Sequence, residues 1–296
     1  MTYKIIPRIK GGLGNQLFCY AAARRLALLN DAELGIDDVS GFAYDIVYKQ
    51  RYQLDHFSIP CRKATAAERM EPFSRLRRYL KRSYNRRRPF DERSYIQQEG
   101  IGYDPRLLQV KPRGTVYLEG YWQSEDYFKD VEETIRKDLR IIPPTDADNQ
   151  RMAEEIRSSN SVAVHVRWFD APENEISSHN ASEAYYRRSV AEIERHVNKP
   201  HYFLFSDDPA AAKGLLDIPD RHVTYVDHNQ GDQGVYADLW LMTHCKHFII
   251  ANSTFSWWGA WLAEPDSKVV IAPGITLTGI TAWGFPGLIP ERWIQL

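Results

Sequence analysis

Four polar clusters in the second half of the chain each follow an apolar run: His165-Val166-Arg167, Ser206-Asp207-Asp208, Asp227-His228 and Asn252-Ser253-Thr254. Taken singly, a histidine, an arginine or an Asp-Pro turn is ordinary structure. Together they supply a particular set of groups. An arginine presents a planar, permanently charged fork that fits phosphate oxygens. Asn252, Ser253, Thr254 and Ser256 stand where a polar turn opens a helix, so hydroxyls, unpaired backbone N–H groups and the positive end of the helix dipole converge. That combination suits a diphosphate, and nearby carboxylates suit a nucleobase edge or sugar hydroxyls. An N-cap leading into a core helix fits the stretch from Ala251 to Trp261 equally well, because its tryptophans are packing residues before anything else. Other chemistries lack their patterns. Asp207-Asp208 does not have Asp-x-Asp spacing, and His165, His228, His244 and His247 are not spaced with cysteines, so no metal site is expected. There is no Gly-x-Ser-x-Gly elbow and no P-loop.

The elements that must hold these clusters alternate. Strand-like runs at Ser161–Val166, Tyr202–Phe205, Val223–Val226, Phe248–Ile250 and Val269–Ala272 are separated by helical stretches at Glu183–Val197, Pro209–Leu216, Val235–Cys245 and Phe255–Ala263. Strict alternation predicts a parallel, doubly wound sheet, and such sheets bind ligands beyond the carboxyl ends of their strands. Every polar cluster falls at such an end. Earlier in the chain, a strand at Tyr3–Ile9 stops at Gly11-Gly12-Leu13-Gly14-Asn15-Gln16, and a helix from Leu17 to Asn30 follows. Those glycines let backbone approach a ligand, although the spacing is not that of a dinucleotide fingerprint and a bare turn explains it too. Thr115–Leu118 reads as a strand, and Glu125–Leu139 as a helix. Ile141-Ile142-Pro143-Pro144-Thr145 is the best boundary, with Asp146-Ala147-Asp148 in the linker. The expected domains are therefore 1–145 and 146–296.

Length and composition agree with two soluble domains. The chain has 296 residues, is 43% apolar and 26% charged, and carries a net charge of −1. A near-neutral balance argues against a dedicated nucleic-acid binder. No run approaches a membrane span, and the first residues lead into a strand and not a signal peptide, so a cytoplasmic protein is expected. Cys19, Cys61 and Cys245 are too few and too scattered for a disulfide framework. The stretch from Arg75 to Arg93 holds nine cations against Asp91 and Glu92, with Phe73, Leu76, Tyr79, Leu80 and Tyr84 interleaved. It reads as a solvated helix face or as a patch for the inner face of the plasma membrane.

Several separated stretches resemble the family 11 glycosyltransferases, the α-1,2-fucosyltransferase family, in its bacterial form. They are Gly11 to Phe18, Leu118-Glu119-Gly120-Tyr121-Trp122-Gln123, Val164-His165-Val166-Arg167, Phe205-Ser206-Asp207-Asp208, Asp238-Leu239-Trp240-Leu241-Met242, and Ile250 to Trp261, with Ile289-Pro290-Glu291-Arg292-Trp293 similar to the family's ending. The resemblance implies an α/β GT-B fold of two facing Rossmann-like domains with parallel sheets, the first on the acceptor side and the second binding the GDP-sugar. It also implies a GDP-fucose donor, inversion at the anomeric carbon, an oligosaccharide or glycolipid acceptor, and neither metal nor other cofactor. Position by position, Arg167 would be the diphosphate arginine and His165 its companion near the nucleotide. Asp207 and Asn252 would line the donor, and Asp238 would contact guanine. Ser253, Thr254 and Ser256 would contact phosphate, and Asn15, with Gly12 and Gly14, would face the fucose. The family usually continues H-x-R-R-G-D. Here Trp168 and Phe169 follow Arg167, either as core or as a stacking wall for a pyranose.

The implied reaction is attack by the 2-hydroxyl of a galactose-type residue of a surface glycan on the fucose anomeric carbon as GDP leaves. Arg167 and the Ser253–Ser256 turn would stabilise the charge on the leaving phosphate. No base is identified; Asp170, Glu173 and Glu175 follow Arg167 closely, and each reads as a loop carboxylate as well as a catalytic one. Transfer of a related GDP-deoxysugar such as colitose uses the same machinery, and a non-catalytic sugar- or nucleotide-binding module is the third reading.

Overall fold

The computed structural model describes residues 3–46, 49–169, 179–216, 218–264, 267–274 and 283–296. Contacts divide the chain into two units. One comprises Met1–Arg140 with Pro286–Leu288, the other Ile141–Phe285 with Ile289–Leu296.

The first unit runs β1 (Lys4–Pro7), α1 (Leu13–Leu29), β2 (Glu33–Ile36), β3 (Arg62–Lys63), α2 (Ser74–Asn85), β4 (Tyr95–Gln97), β5 (Thr115–Glu119) and α3 (Glu132–Asp138). Its sheet is ordered β3-β2-β1-β5-β4 with parallel pairings. Ile5, Ile6, Val116, Tyr117 and Leu118 are buried in it, and α1 packs Leu17, Phe18, Ala21, Ala22 and Leu26 out of water. Two helices differ from expectation. α1 begins at Leu13 and takes Gly14 and Asn15 into its first turn, so the turn proper is Gly11-Gly12, where Gly11 holds a φ of 75° that favours glycine. The expected helix from Glu125 is broken into 3-10 turns at Glu125–Tyr127 and Lys129–Val131 before α3 starts. Ser124 caps the first of these turns by accepting from the Asp126 amide.

The second unit runs α4 (Ala147–Ser158), β6 (Ser161–Val166), α5 (Glu183–His196), β7 (His201–Ser206), α6 (Pro209–Ala212), β8 (Val223–Val226), α7 (Gly231–Met242), β9 (His247–Ile249), α8 (Thr254–Leu262), β10 (Val270–Ala272) and β11 (Ile294–Gln295). The order is β11-β10-β9-β6-β7-β8, parallel throughout the paired strands. Six consecutive buried residues in β6 mark a strand covered on both faces. The alternation read from sequence is the alternation found. α4 is an addition: Asp146 is no linker residue but accepts from the Asn149 amide at 2.9 Å and caps the helix. α6 is four residues long where eight were expected, because Gly214 follows it closely.

The tryptophans of α8 are core. Trp257, Trp258 and Trp261 are fully buried; the Trp257 and Trp261 rings stack at 6.2 Å, and Trp293 leans on Trp257 at 5.4 Å. Each such ring buries roughly 150–250 Å², which fixes α8 and hence its N-terminus against the sheet.

Candidate functional site

In each sheet the strand order reverses once, and that reversal opens a crevice at the carboxyl edge. In the second unit it lies between β6 and β9. His165 ends β6, and its Nδ1 lies 2.9 Å from the Ser256 hydroxyl in the first turn of α8. The two lips of the crevice are thus joined by one hydrogen bond. The imidazole is buried, and desolvation followed by the Arg167 charge lowers its pKa to about 3. It is a neutral ring at physiological pH and positions groups without carrying charge. Its backbone carbonyl accepts from the Tyr186 hydroxyl at 2.9 Å, and Tyr185 similarly donates to Ile250 and Ile271, so α5 holds both lips from beneath.

Arg167 directly follows β6, about two-fifths exposed, with Nη1 2.6 Å from Asp207 at the end of β7. Asp207 also accepts from the Trp168 amide at 3.1 Å. One carboxylate therefore aims the guanidinium and the chain that carries it. Across the crevice, Ser253 caps α8 by accepting from the Phe255 amide, and Ser256 donates to the Ser253 carbonyl at 3.3 Å. Thr254 opens the helix. Asn252 donates to the His179 carbonyl at 2.8 Å, while its buried Oδ1 has no partner among the described residues. A cationic fork, a capped helix N-terminus and an open amide acceptor are what a diphosphate with an attached polar ring requires.

Asp238, on α7, accepts from Asn229 at 2.9 Å. Burial pushes its pKa up to about 7 against the opposing pull of that bond. Asn229 forms a reciprocal amide pair with Asn149 of α4 at 2.8 and 2.9 Å, and His228 reaches Asn149 at 3.1 Å. Asn149 and Asn229 were missed by the sequence reading. The signal lay in Asn229 directly following the Asp227-His228 strand ending. Trp168 packs its ring on the core of this unit with Nε1 buried and without a partner among the described residues, and Arg167 lies over the Phe169 ring at 5.5 Å. Asp170, Glu173 and Glu175 lie outside the described residues.

In the first unit the reversal lies between β1 and β5. Asn15 of α1 accepts from Gln123 at 2.6 Å, joining the glycine turn to the segment after β5. Gln16, fully buried, donates to the Gly11 and Arg51 carbonyls and accepts from the Gln53 amide. Gly120 admits no side chain, since a Cβ would meet that of Gln98 at 2.5 Å. An open surface hollow of about 480 Å³ lined by Asp38, Phe42, Asp45, Lys49, Gln50 and Tyr52 among others adjoins Gly12, where an added Cβ would lie 3.6 Å from Gln50. Beneath the crevice is a charge network that sequence reading missed. Glu119 accepts from Arg8 at 2.6 Å, Arg82 at 2.7 Å and the Tyr95 hydroxyl, while Asp37 accepts from Ser40 at 2.6 Å and from Tyr117. Burial alone would raise the Glu119 pKa, but the Tyr95 hydroxyl and the Arg8 and Arg82 charges hold it below the ordinary value. Among the described residues no group of three His, Cys, Asp or Glu side chains converges as a metal site. No helix there is long and apolar enough to cross a membrane.

Two Rossmann-like units, one with a cation and a capped helix N-terminus at its switch point, make up an α/β fold of GT-B type. The chain belongs to glycosyl transferase family 11, whose model matches residues 68–277. It is 30% identical to an α-1,2-colitosyltransferase of Escherichia coli over 99% of this chain and 98% of the relative. It is 23% identical to human galactoside α-(1,2)-fucosyltransferase 1 over 51% of this chain and 44% of that protein. Among solved structures, Arabidopsis thaliana FUT1 in complex with GDP superposes with a TM-score of 0.54, at 12% identity, covering 91% of this chain and 70% of that one.

Proposed function

We propose that the protein transfers L-fucose from GDP-fucose to the 2-hydroxyl of a galactose-type residue in a surface glycan, with inversion. The observation that carries this reading is the β6/β9 crevice, where His165 meets Ser256 in the first turn of α8 and Arg167 follows two residues further along the chain. The acceptor oxygen attacks the anomeric carbon, the bond from that carbon to the phosphate oxygen breaks, and GDP departs with the electron pair. Arg167 and the Ser253, Thr254 and Ser256 turn meet the charge that develops there, a role fixed dipoles fill without a metal. Asp207 orients Arg167, His165 fixes Ser256, Asn252 offers its open carbonyl, and Asp238 reads guanine. From the first unit, Gly12, Gly14 and Asn15 serve the sugar, and the hollow beside Gly12 serves the acceptor. The hydroxyl proton passes to a base, for which Asp170, three residues after Arg167 in the sequence, is the candidate.

A second reading has its own support. The full-length relative named for colitose favours a 3,6-dideoxy counterpart of fucose as the donor. The test is a panel of GDP-sugars offered with galactosides, with and without EDTA, and mass-spectrometric detection of product. Fucosyl transfer unaffected by EDTA is expected. Colitosyl transfer in its place selects the second reading, binding of GDP-sugars without turnover marks a non-catalytic module, and loss with EDTA restored by manganese removes metal independence.

A further inference from the structure

α2 is built inside out. The side facing the protein is polar: Arg78 and Asn85 are buried, Arg82 pairs with Glu119, and Asn85 accepts from the Ser94 and Tyr95 amides at 2.8 and 3.2 Å. At 3.6 residues per turn, Leu76, Leu80 and Tyr84 form one stripe opposite that side, and the exposed Phe73 immediately precedes the helix. They are 58, 56, 62 and 75% exposed. The anchoring bonds of Arg82 and Asn85 prevent the helix from rolling to hide the stripe. A contiguous apolar face of this kind marks an interaction surface.

Charge identifies its partner. Arg75, Arg77, Lys81 and Arg87 are exposed on the same segment and have no acidic partner among the described residues. Arg75 lies over the exposed Tyr44 ring at 5.8 Å. Lys and Arg flanking an apolar, aromatic-bearing helix face is the pattern that lies in an anionic lipid headgroup layer.

We propose that α2 is a membrane-surface helix that seats the first unit on an anionic bilayer, with Phe73, Leu76, Leu80 and Tyr84 entering the interface and the flanking cations meeting lipid phosphates. The seat places the enzyme in the same plane as a lipid-carried acceptor, and it is independent of the donor assignment because binding is read without turnover.

The test is co-sedimentation of the purified chain with vesicles of phosphatidylcholine alone or with about one-third phosphatidylglycerol. The protein is expected to pellet with the anionic vesicles at low salt and to be released as salt rises. The pair Leu76→Glu and Leu80→Glu should cut the bound fraction about tenfold with an unchanged melting curve, since neither side chain is buried. A second pair, Arg77→Glu and Lys81→Glu, should weaken binding and flatten the salt dependence, and it decides the matter even if the leucine pair folds poorly. Failure to pellet with anionic vesicles overturns the proposal. So does wild-type binding by both pairs, or a dimer in light scattering that the leucine pair dissociates, which would assign the stripe to a second copy of the chain.

Discussion

The two sheets share one plan and use their carboxyl edges differently. At the β1/β5 edge the charges close on one another: Arg8 and Arg82 share Glu119, and Asp37 is held by Ser40 and Tyr117. At the β6/β9 edge a guanidinium about two-fifths exposed has, among the described residues, one carboxylate for company, and the neighbouring histidine is neutral. A closed network makes a rigid floor for the turn above it. A cation that is aimed but incompletely neutralised makes a binding site. Substitutions at the two edges should therefore fail in different ways.

The largest effect is expected at Arg167. Arg167→Ala should lower turnover roughly 100- to 1,000-fold, about 3–4 kcal/mol, and leave the melting temperature unchanged. Lysine should restore little, lacking the planar fork. Near-normal turnover by the alanine variant would end the assignment. Glu119→Ala should show the reverse pattern, a loss of about 3 kcal/mol in urea unfolding because Arg8 and Arg82 are left without their carboxylate. Stability within about 0.5 kcal/mol of the parent would mean the network is ornamental.

Asp238 tests whether the second edge reads a base. Asp238→Asn should weaken GDP binding by about 1–3 kcal/mol in calorimetry. Its pKa near 7 adds a sign. Only the ionised carboxylate accepts from both guanine donors, so GDP affinity should rise with pH and fall about tenfold per unit below 7, a slope the asparagine variant lacks. Stability of the free protein runs the other way: the folded chain keeps a proton on Asp238 that the unfolded chain has lost between about pH 4 and 7, so this contribution fades as pH rises through that window. A flat affinity profile in the parent protein would refute the guanine role. The smallest effect is expected from Trp168→Arg, which replaces a ring resting on the core and should cost about 1–3 kcal/mol of stability without moving donor preference. An unchanged melting temperature with altered preference would return Trp168 to the sugar.

The second sheet was legible because its strands are apolar runs separated by helices of ordinary length, and local pattern decides such elements. β2, β4 and β11 were not singled out in the sequence: at two to four residues they carry too little periodicity and exist through pairing with neighbours. The polar strand endings could be read as a site because topology fixes which edge they share. The Glu119 network could not, since Arg8, Asp37, Arg82 and Glu119 are far apart in sequence and meet only through folding. Asp238 was placed by its motif, and its titration depends on burial that no motif encodes. Trp168 illustrates the remaining gap. Both readings of it were open in the sequence, and its contact with the core now favours packing.

Leu288, fully buried, belongs by its contacts with the first unit, and β11 adds to the second sheet beside β10. This has a consequence for biogenesis. A ribosome adding roughly 5–20 residues per second finishes β5 and α3 long before it delivers Leu288. During that interval the first unit lacks a piece of its own core while the whole of β6 to β10 is being made. The seat for Leu288 stays unfilled through that interval, so the first unit reaches its final form only as the second is completed.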